Sequence, residues 1–213
     1  MANVHVQSCR PAYALLVEKG GDERAVLAIR GTASVSDGLT DVLGASVEFG
    51  SKVVVSSGCS GGTGICEAHA GFVHSARGVL RSLGKDALQE HVFSKQRPLA
   101  LIGHSLGAAT AAAVTVELLE QYPGRFDVGF ASTPQEEEEE EEGEHASGPI
   151  PLECYAFACP PVFSADICKA TEGFITSVVH SDDVICRVRH YPTSIPMTRE
   201  DPGGVPRSPR PPA

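Results

Sequence analysis

The chain has 213 residues, 42% hydrophobic and 6% aromatic, with 22 Gly, 15 Pro and no Trp, a composition that suits one mixed α/β domain with aliphatic packing and many turns. Its formal charge of −10 is concentrated in eight glutamates, Glu136 to Glu142 and Glu144, and without them the rest of the chain stands at −2. A near-neutral domain with no basic patch excludes a nucleic-acid partner.

The seven cysteines (Cys9, Cys59, Cys66, Cys154, Cys159, Cys168, Cys186) are odd in number and form no CxxC pair, so structural, reduced thiols are expected rather than a zinc site or redox dithiol. The start, MANVHVQSCRPAY, lacks the basic end and apolar run of a secretory signal. A cytoplasmic or peripheral membrane location in a reducing compartment is the simpler expectation.

In chain order, Tyr13 to Val17 and Val26 to Ile29 are short apolar runs separated by a charged, Gly-containing turn, which predicts two strands. Val42 to Cys66, rich in Gly and Ser around Ser56 to Gly62, predicts either a mobile cover or an ordinary flexible loop. From Phe72 to Val92, apolar residues at Val73, Ala76, Val79, Leu80, Leu83 and Leu88 recur at helical spacing and predict one amphipathic helix lying on a sheet.

Leu99 to Leu119 is the most apolar stretch, but it contains His104, Ser105 and Glu117 and predicts a strand (Leu99 to Ile102) and a helix (Ala108 to Leu119) rather than a membrane span. Residues 132–149, with the glutamate run, offer no apolar surface to offset the entropy of ordering and predict a flexible acidic insertion. Cys154 to Ala158 and Ile175 to His180 predict two further strands, with a helix near Ala165 to Ala170. Five strands alternating with helices point to a largely parallel sheet. One domain is expected over residues 1–190; residues 191–213 hold seven of the 15 prolines and predict a Pro/Arg-rich disordered tail.

Gly103-His104-Ser105-Leu106-Gly107 is a GxSxG pattern between a predicted strand and a predicted helix. That context places the serine on a sharp turn with small flanking residues, while the helix N-terminus and the Leu106 amide favour the negative charge of acyl transfer. At this point the sequence resembles the class 3 lipases, whose members include fungal triacylglycerol lipases and sn-1-specific diacylglycerol lipases. The resemblance rests on Ala28-Ile29-Arg30-Gly31-Thr32 with Ser36 to Asp41, His69-Ala70-Gly71-Phe72, GHSLGA at Gly103 to Ala108, Cys154 to Pro161, and Ser181 to Arg187. These segments occur in family order and are closest to the diacylglycerol lipase branch.

The resemblance implies an α/β-hydrolase core: a mostly parallel sheet flanked by helices, here ending short of the family's C-terminal part. It implies Ser105 as nucleophile, the amides of Thr32 and Leu106 as oxyanion donors, Asp41 holding the Thr32 hydroxyl, and a lid where Val42 to Cys66 falls. It points to Asp183 rather than Asp182 as the acid. Gly103 and Gly107 support the turn. His104, adjacent to the serine, cannot share its proton, so it and His69 are expected to be packing residues.

The base is open. Triad order in this fold requires a histidine after Asp183, and His190 is the only one. It lies seven residues on, where an extended chain would carry it far from the carboxylate, and the family's base lies some tens of residues beyond its acid. Two functional expectations follow. One is a serine hydrolase of lipid esters, with no metal or other cofactor, meeting a lipid ester substrate by transient contact with a membrane or lipid-droplet surface. The other is a catalytically incomplete fragment or binding module lacking the base. Protein partners are not indicated.

Overall fold

The computed structural model describes residues 11–20, 23–31, 45–58, 64–129 and 148–187. In chain order the elements are β1 (Tyr13–Val17), β2 (Ala25–Ile29), β3 (Ser46–Glu48), α1 (Ser51–Ser56), β4 (Glu67–His69), α2 (Ala70–Leu83), α3 (Lys85–His91), β5 (Leu99–His104), α4 (Leu106–Gln121), β6 (Phe126–Asp127), β7 (Ile150–Phe157), α5 (Ala165–Ala170) and β8 (Ile175–Val178).

The short charged turn after β1 returns the chain antiparallel onto β2. β5 is apolar through most of its length and runs parallel between β2 and β7, the central position that such a run suits. β6 and β8 both pair with β7 in parallel. The N–H groups of Ile150 and Cys154 donate to the carbonyls of Arg125 and Phe174; residues an even number apart point their amides the same way, so β6 and β8 lie end to end along one edge of β7. The result is a six-stranded sheet ordered β1-β2-β5-β7 and then β6 with β8. β3 and β4 form a separate antiparallel pair.

Leu27, Leu101, Cys154 and Ala156 point to one face of this sheet and are fully buried under α2 and α4. α4 is alanine-rich and buried through its middle, from Gly107 to Leu118; its Thr110 and Thr115 hydroxyls donate to the Leu106 and Ala111 carbonyls, both at 2.9 Å, so no hydroxyl is left unmatched inside. α2 is amphipathic and packs on α4, where Arg77 Nε donates to both Glu117 oxygens at 3.1 and 3.2 Å and Gln121 Nε2 donates to Glu117 Oε1 at 3.0 Å. A buried carboxylate needs that matching.

Several sequence expectations change in detail. The helix expected over Phe72 to Val92 is two helices, because Gly84 takes φ 77° and ψ 154° between them, a conformation that only glycine adopts cheaply. The described part of Val42 to Cys66 is not an open loop. It holds β3 and α1, buries Phe49 and Val53, and stacks Phe49 on Phe163 at 6.1 Å. The fold class expected from the sequence, a largely parallel sheet flanked by helices, is the one observed. The acidic insertion and the proline-rich tail lie almost wholly outside the described residues.

Burial pushes the Cys154 thiol up to about 12, so almost none of it is thiolate at pH 8 and thiolate is the reactive form. Iodoacetamide at pH 8 should leave Cys154 unmodified in the folded protein while alkylating exposed Cys168, with Cys154 reacting only after denaturation. Peptide mapping that finds Cys154 alkylated as fast as Cys168 would contradict this packing.

Candidate functional site

β5 ends at His104 and α4 begins at Leu106, so one residue must turn the chain from strand into helix. That residue is Ser105, at φ 56° and ψ −126°, a region where a residue with a Cβ is strained by roughly 1–3 kcal/mol. The turn is held from both sides. Ser105 N–H donates to the Phe157 carbonyl at 2.8 Å, and Ser105 C=O accepts from the amides of Ala108 and Ala109 at 2.9 and 3.1 Å.

Three glycines make this turn possible by letting backbones touch. A Cβ on Gly103 would lie 2.3 Å from the Gly107 carbonyl oxygen; one on Gly107 would lie 2.4 Å from the Ile29 carbonyl oxygen; one on Gly31 would lie 2.6 Å from the His104 carbonyl oxygen. The end of β2, through Gly31, therefore abuts the turn directly. The Leu106 N–H sits in the first turn of α4, where helix amides have no partner within the helix. It stands at the positive end of the helix dipole.

The acidic loop follows β8. Because β5, β7 and β8 are parallel and in register through His104, Phe157 and Val178, their C-terminal ends share one edge of the sheet, with β8 about 10 Å from β5 at ~4.8 Å per strand. Asp183 N–H donates to the His180 carbonyl at 3.0 Å, and Asp183 Oδ1 accepts from Ile185 N–H at 2.9 Å. Arg187 Nη2 donates to the Ser181 carbonyl at 3.0 Å. Asp183 is half-buried and Asp182 is exposed.

Two cysteines flank this edge and neither is poised to react. Cys159 is pushed up by burial, and Cys186 by burial first and by the Asp183 carboxylate second. Both are held as neutral thiols, leaving Ser105 as the hydroxyl at the strained turn.

Of the sequence-expected residues, the structure brings Ser105, Leu106, Gly103, Gly107 and Asp183 to this edge. Thr32, Asp41 and His190 lie outside the described residues. His69 is a packing residue as expected: buried, its ring tilted 38° against that of Phe72 with centroids 4.6 Å apart, and with Nδ1 accepting from Gly71 N–H at 3.2 Å. His104 is not; it is exposed, because its side chain projects from the sheet face opposite α4. Two features were missed. The Phe157 carbonyl that anchors Ser105 is backbone and leaves no residue-type signal. Gly31 does have one, a glycine two residues past the end of an apolar strand.

Residues 26–192 match the family model described as Lipase (class 3). The chain is 27% identical over 174 residues to diacylglycerol lipase-alpha of Rattus norvegicus and 28% identical over 169 residues to diacylglycerol lipase-beta of Mus musculus, with 78% of this chain covered in each case. It spans only 13% and 20% of the lengths of those two relatives. Among solved structures it is similar to the Rhizomucor miehei lipase in its propeptide complex, with a TM-score of 0.58 at 15% identity, covering 86% of this chain and 49% of that one. The lipase from Rhizopus microsporus var. chinensis gives a TM-score of 0.54 at 20% identity, covering 84% and 52%. These structural matches show the α/β-hydrolase fold.

Two substitutions test the geometry. Gly103→Ala should cost at least about 3 kcal/mol, since backbone rather than a movable side chain blocks the Cβ; differential scanning calorimetry should show Tm falling by ~6 °C or more. Ser105→Gly should be more stable than Ser105→Ala by about 1–2 kcal/mol, a Tm higher by roughly 2–8 °C, because both lose the hydroxyl but only glycine relaxes the turn. Equal stability of those two variants would mean that Ser105 is unstrained.

Proposed function

Because the chain belongs to the class 3 lipase family, we propose that it is a serine hydrolase of lipid esters whose substrate is a diacylglycerol or triacylglycerol. The observation that carries this reading is Ser105 itself: a non-glycine residue at φ 56° between a parallel strand and a buried helix, on the edge where the Asp183 loop ends. Active sites of open parallel sheets lie at the carboxyl ends of their strands.

In this mechanism Ser105 Oγ attacks the ester carbonyl carbon and its proton passes to a base. The carbonyl oxygen becomes an oxyanion, held by the amides of Leu106 and Thr32; Asp41 fixes the Thr32 hydroxyl, which adds a third donor. Collapse of the tetrahedral adduct expels the glyceride alcohol, which takes up the proton. Water then attacks the acyl-enzyme, the released product is the fatty acid, and Ser105 regains its proton. Asp183 orients the base and stabilises its charged form.

The base is the weak link, and this supports the second reading, an incomplete hydrolase or binding module. Among the described residues none after Asp183 is a histidine, and in the whole sequence His190 alone follows it. Losing one triad member costs on the order of 10⁴ to 10⁶ in turnover in related chemistry, so this chain should cleave lipid esters weakly. No helix among the described residues is long and apolar enough to cross a membrane; contact with lipid, at a membrane or droplet surface, is proposed to be peripheral and transient.

The test is fatty acid release from a diacylglycerol and turnover of a short p-nitrophenyl ester, for the chain and for Ser105→Ala, His190→Ala and Asp183→Asn. Slow cleavage, abolished by Ser105→Ala and untouched by His190→Ala, is the expected result. Robust turnover lost in both would make His190 the base, and activity indifferent to Ser105→Ala would sink the proposal. Asp183→Asn retains a side-chain oxygen for the Ile185 amide, so its Tm should stay within about 2 °C of the unsubstituted chain. A loss of turnover in that variant would then report the missing negative charge.

A further inference from the structure

Asp183 stands five residues beyond the end of β8, so the sheet by itself does not aim its carboxylate. β8 is tied to β7 as far as Val178, whose carbonyl accepts from Ala158 N–H at 2.9 Å. From Val179 the chain is a largely exposed loop that ends in a single 3-10 turn, Ile185–Arg187. A segment of this kind keeps one direction only where its own bonds fix it.

The loop begins with strain. Ser181 takes φ 42°, in the left-handed region that a residue with a Cβ seldom adopts. Of the non-glycine residues with positive φ among those described, Ser105, Ala158 and Ser181 stand beyond the C-terminal ends of β5, β7 and β8, and Gln96 is the other. Strained residues cluster at functional sites and persist where their surroundings over-determine them. At Ser105 the restraint is the packing of three backbones. At Ser181, an exposed residue, a hydrogen bond from further along the loop takes that part.

Arg187 supplies it. Its Nη2 donates to the Ser181 carbonyl at 3.0 Å, and its main-chain N–H donates to the Val184 carbonyl at 3.0 Å. One residue therefore grips the chain on both sides of Asp183. Between the two grips, Asp183 N–H donates to the His180 carbonyl at 3.0 Å and Asp183 Oδ1 accepts from Ile185 N–H at 2.9 Å. Were Ser181 to relax to negative φ, its carbonyl would swing away, and Asp182 and Asp183 would leave it in a new direction. A guanidinium is always charged and binds a carbonyl more strongly than a neutral donor does.

We propose that Arg187 is a positioning residue: by holding the Ser181 carbonyl it keeps Ser181 in its strained conformation and sets the direction of the Asp183 carboxylate. This inference rests on the reading of Asp183 as the acid of a serine hydrolase, and it names what aims that acid.

Arg187→Met removes the side-chain donors and keeps the apolar stem; Arg187→Lys restores one donor, and this bond uses only one. The Ile185 amide reads the Asp183 carboxylate directly. In the full chain, followed by NMR, it should exchange at least about fivefold faster in Arg187→Met, with the amides of Leu101 and Ala156 unchanged, and return to within about twofold in Arg187→Lys. Tm should move by less than about 2 °C, since the bond is exposed. On a short p-nitrophenyl ester, kcat should fall at least about threefold at unchanged KM in Arg187→Met and recover in Arg187→Lys. Combining Arg187→Met with Asp183→Asn should cost nothing beyond Asp183→Asn alone, because both act on one group. An Ile185 amide indifferent to Arg187→Met overturns the proposal. So does an equal loss of turnover in the two backgrounds, since Arg187 would then act elsewhere. If Asp183→Asn alone leaves turnover unchanged, the assignment of the acid is what has failed, and the proposal falls with it.

Discussion

Three backbones meet without side chains between them at Gly31, Gly103 and Gly107, and the rest of the structure is arranged around that contact. The end of β2, the end of β5 and the start of α4 are brought within van der Waals distance there, and a single Cβ on any of the three would overlap backbone atoms. With so little room, the passage from strand to helix is confined to Ser105. Its positive φ is a strain that the burial of α4 from Gly107 to Leu118 holds in place. An unsupported turn would relax; this one is over-determined by the packing on either side of it.

The sheet then works as a ruler. Parallel pairing in register through His104, Phe157 and Val178 carries the strand ends to a common edge, and the hydrogen bonds Ser105 to Phe157 and Ala158 to Val178 repeat the same step across two strand boundaries. Asp183 is placed by this ruler and then by its own loop, through the bonds to His180 and Ile185. Electrostatics at the edge also favours oxygen chemistry over sulfur chemistry. The nearby thiols are held neutral, whereas a serine needs no prior ionisation, only a base during attack.

The two faces of the sheet differ although the same strands build both. Alternate residues of β5 and β7 lie under α2 and α4 on one side, and on the other they leave Ile102, His104 and Phe157 open. This asymmetry explains why His104, next to the serine in sequence, is a surface residue.

Much of this was legible in the sequence, because the signals are local. The aliphatic runs of β1, β2, β5, β7 and β8 were visible as strands, α5 matched its expected bounds, and the pattern around Ser105 needed only its strand and helix neighbours to be read. What the sequence could not supply was any property that arises between segments distant along the chain. The break at Gly84 was hidden by apolar spacing that continues through it. The ordered part of Val42 to Cys66 was hidden because its Gly and Ser content says nothing of Phe49 meeting Phe163, more than a hundred residues away. Gly31 acquires its meaning only from the His104 carbonyl beside it, and the half-burial of Asp183 and its bond to the Ile185 amide are seen only once the loop after β8 is in place. The sequence by itself determined which segments form strands and helices and which serine stands at the strand-to-helix turn, since periodicity and turn residues act over a few positions. The tertiary structure alone decided which sheet face is covered, since that depends on where α2 and α4 come to rest after the chain has closed on itself.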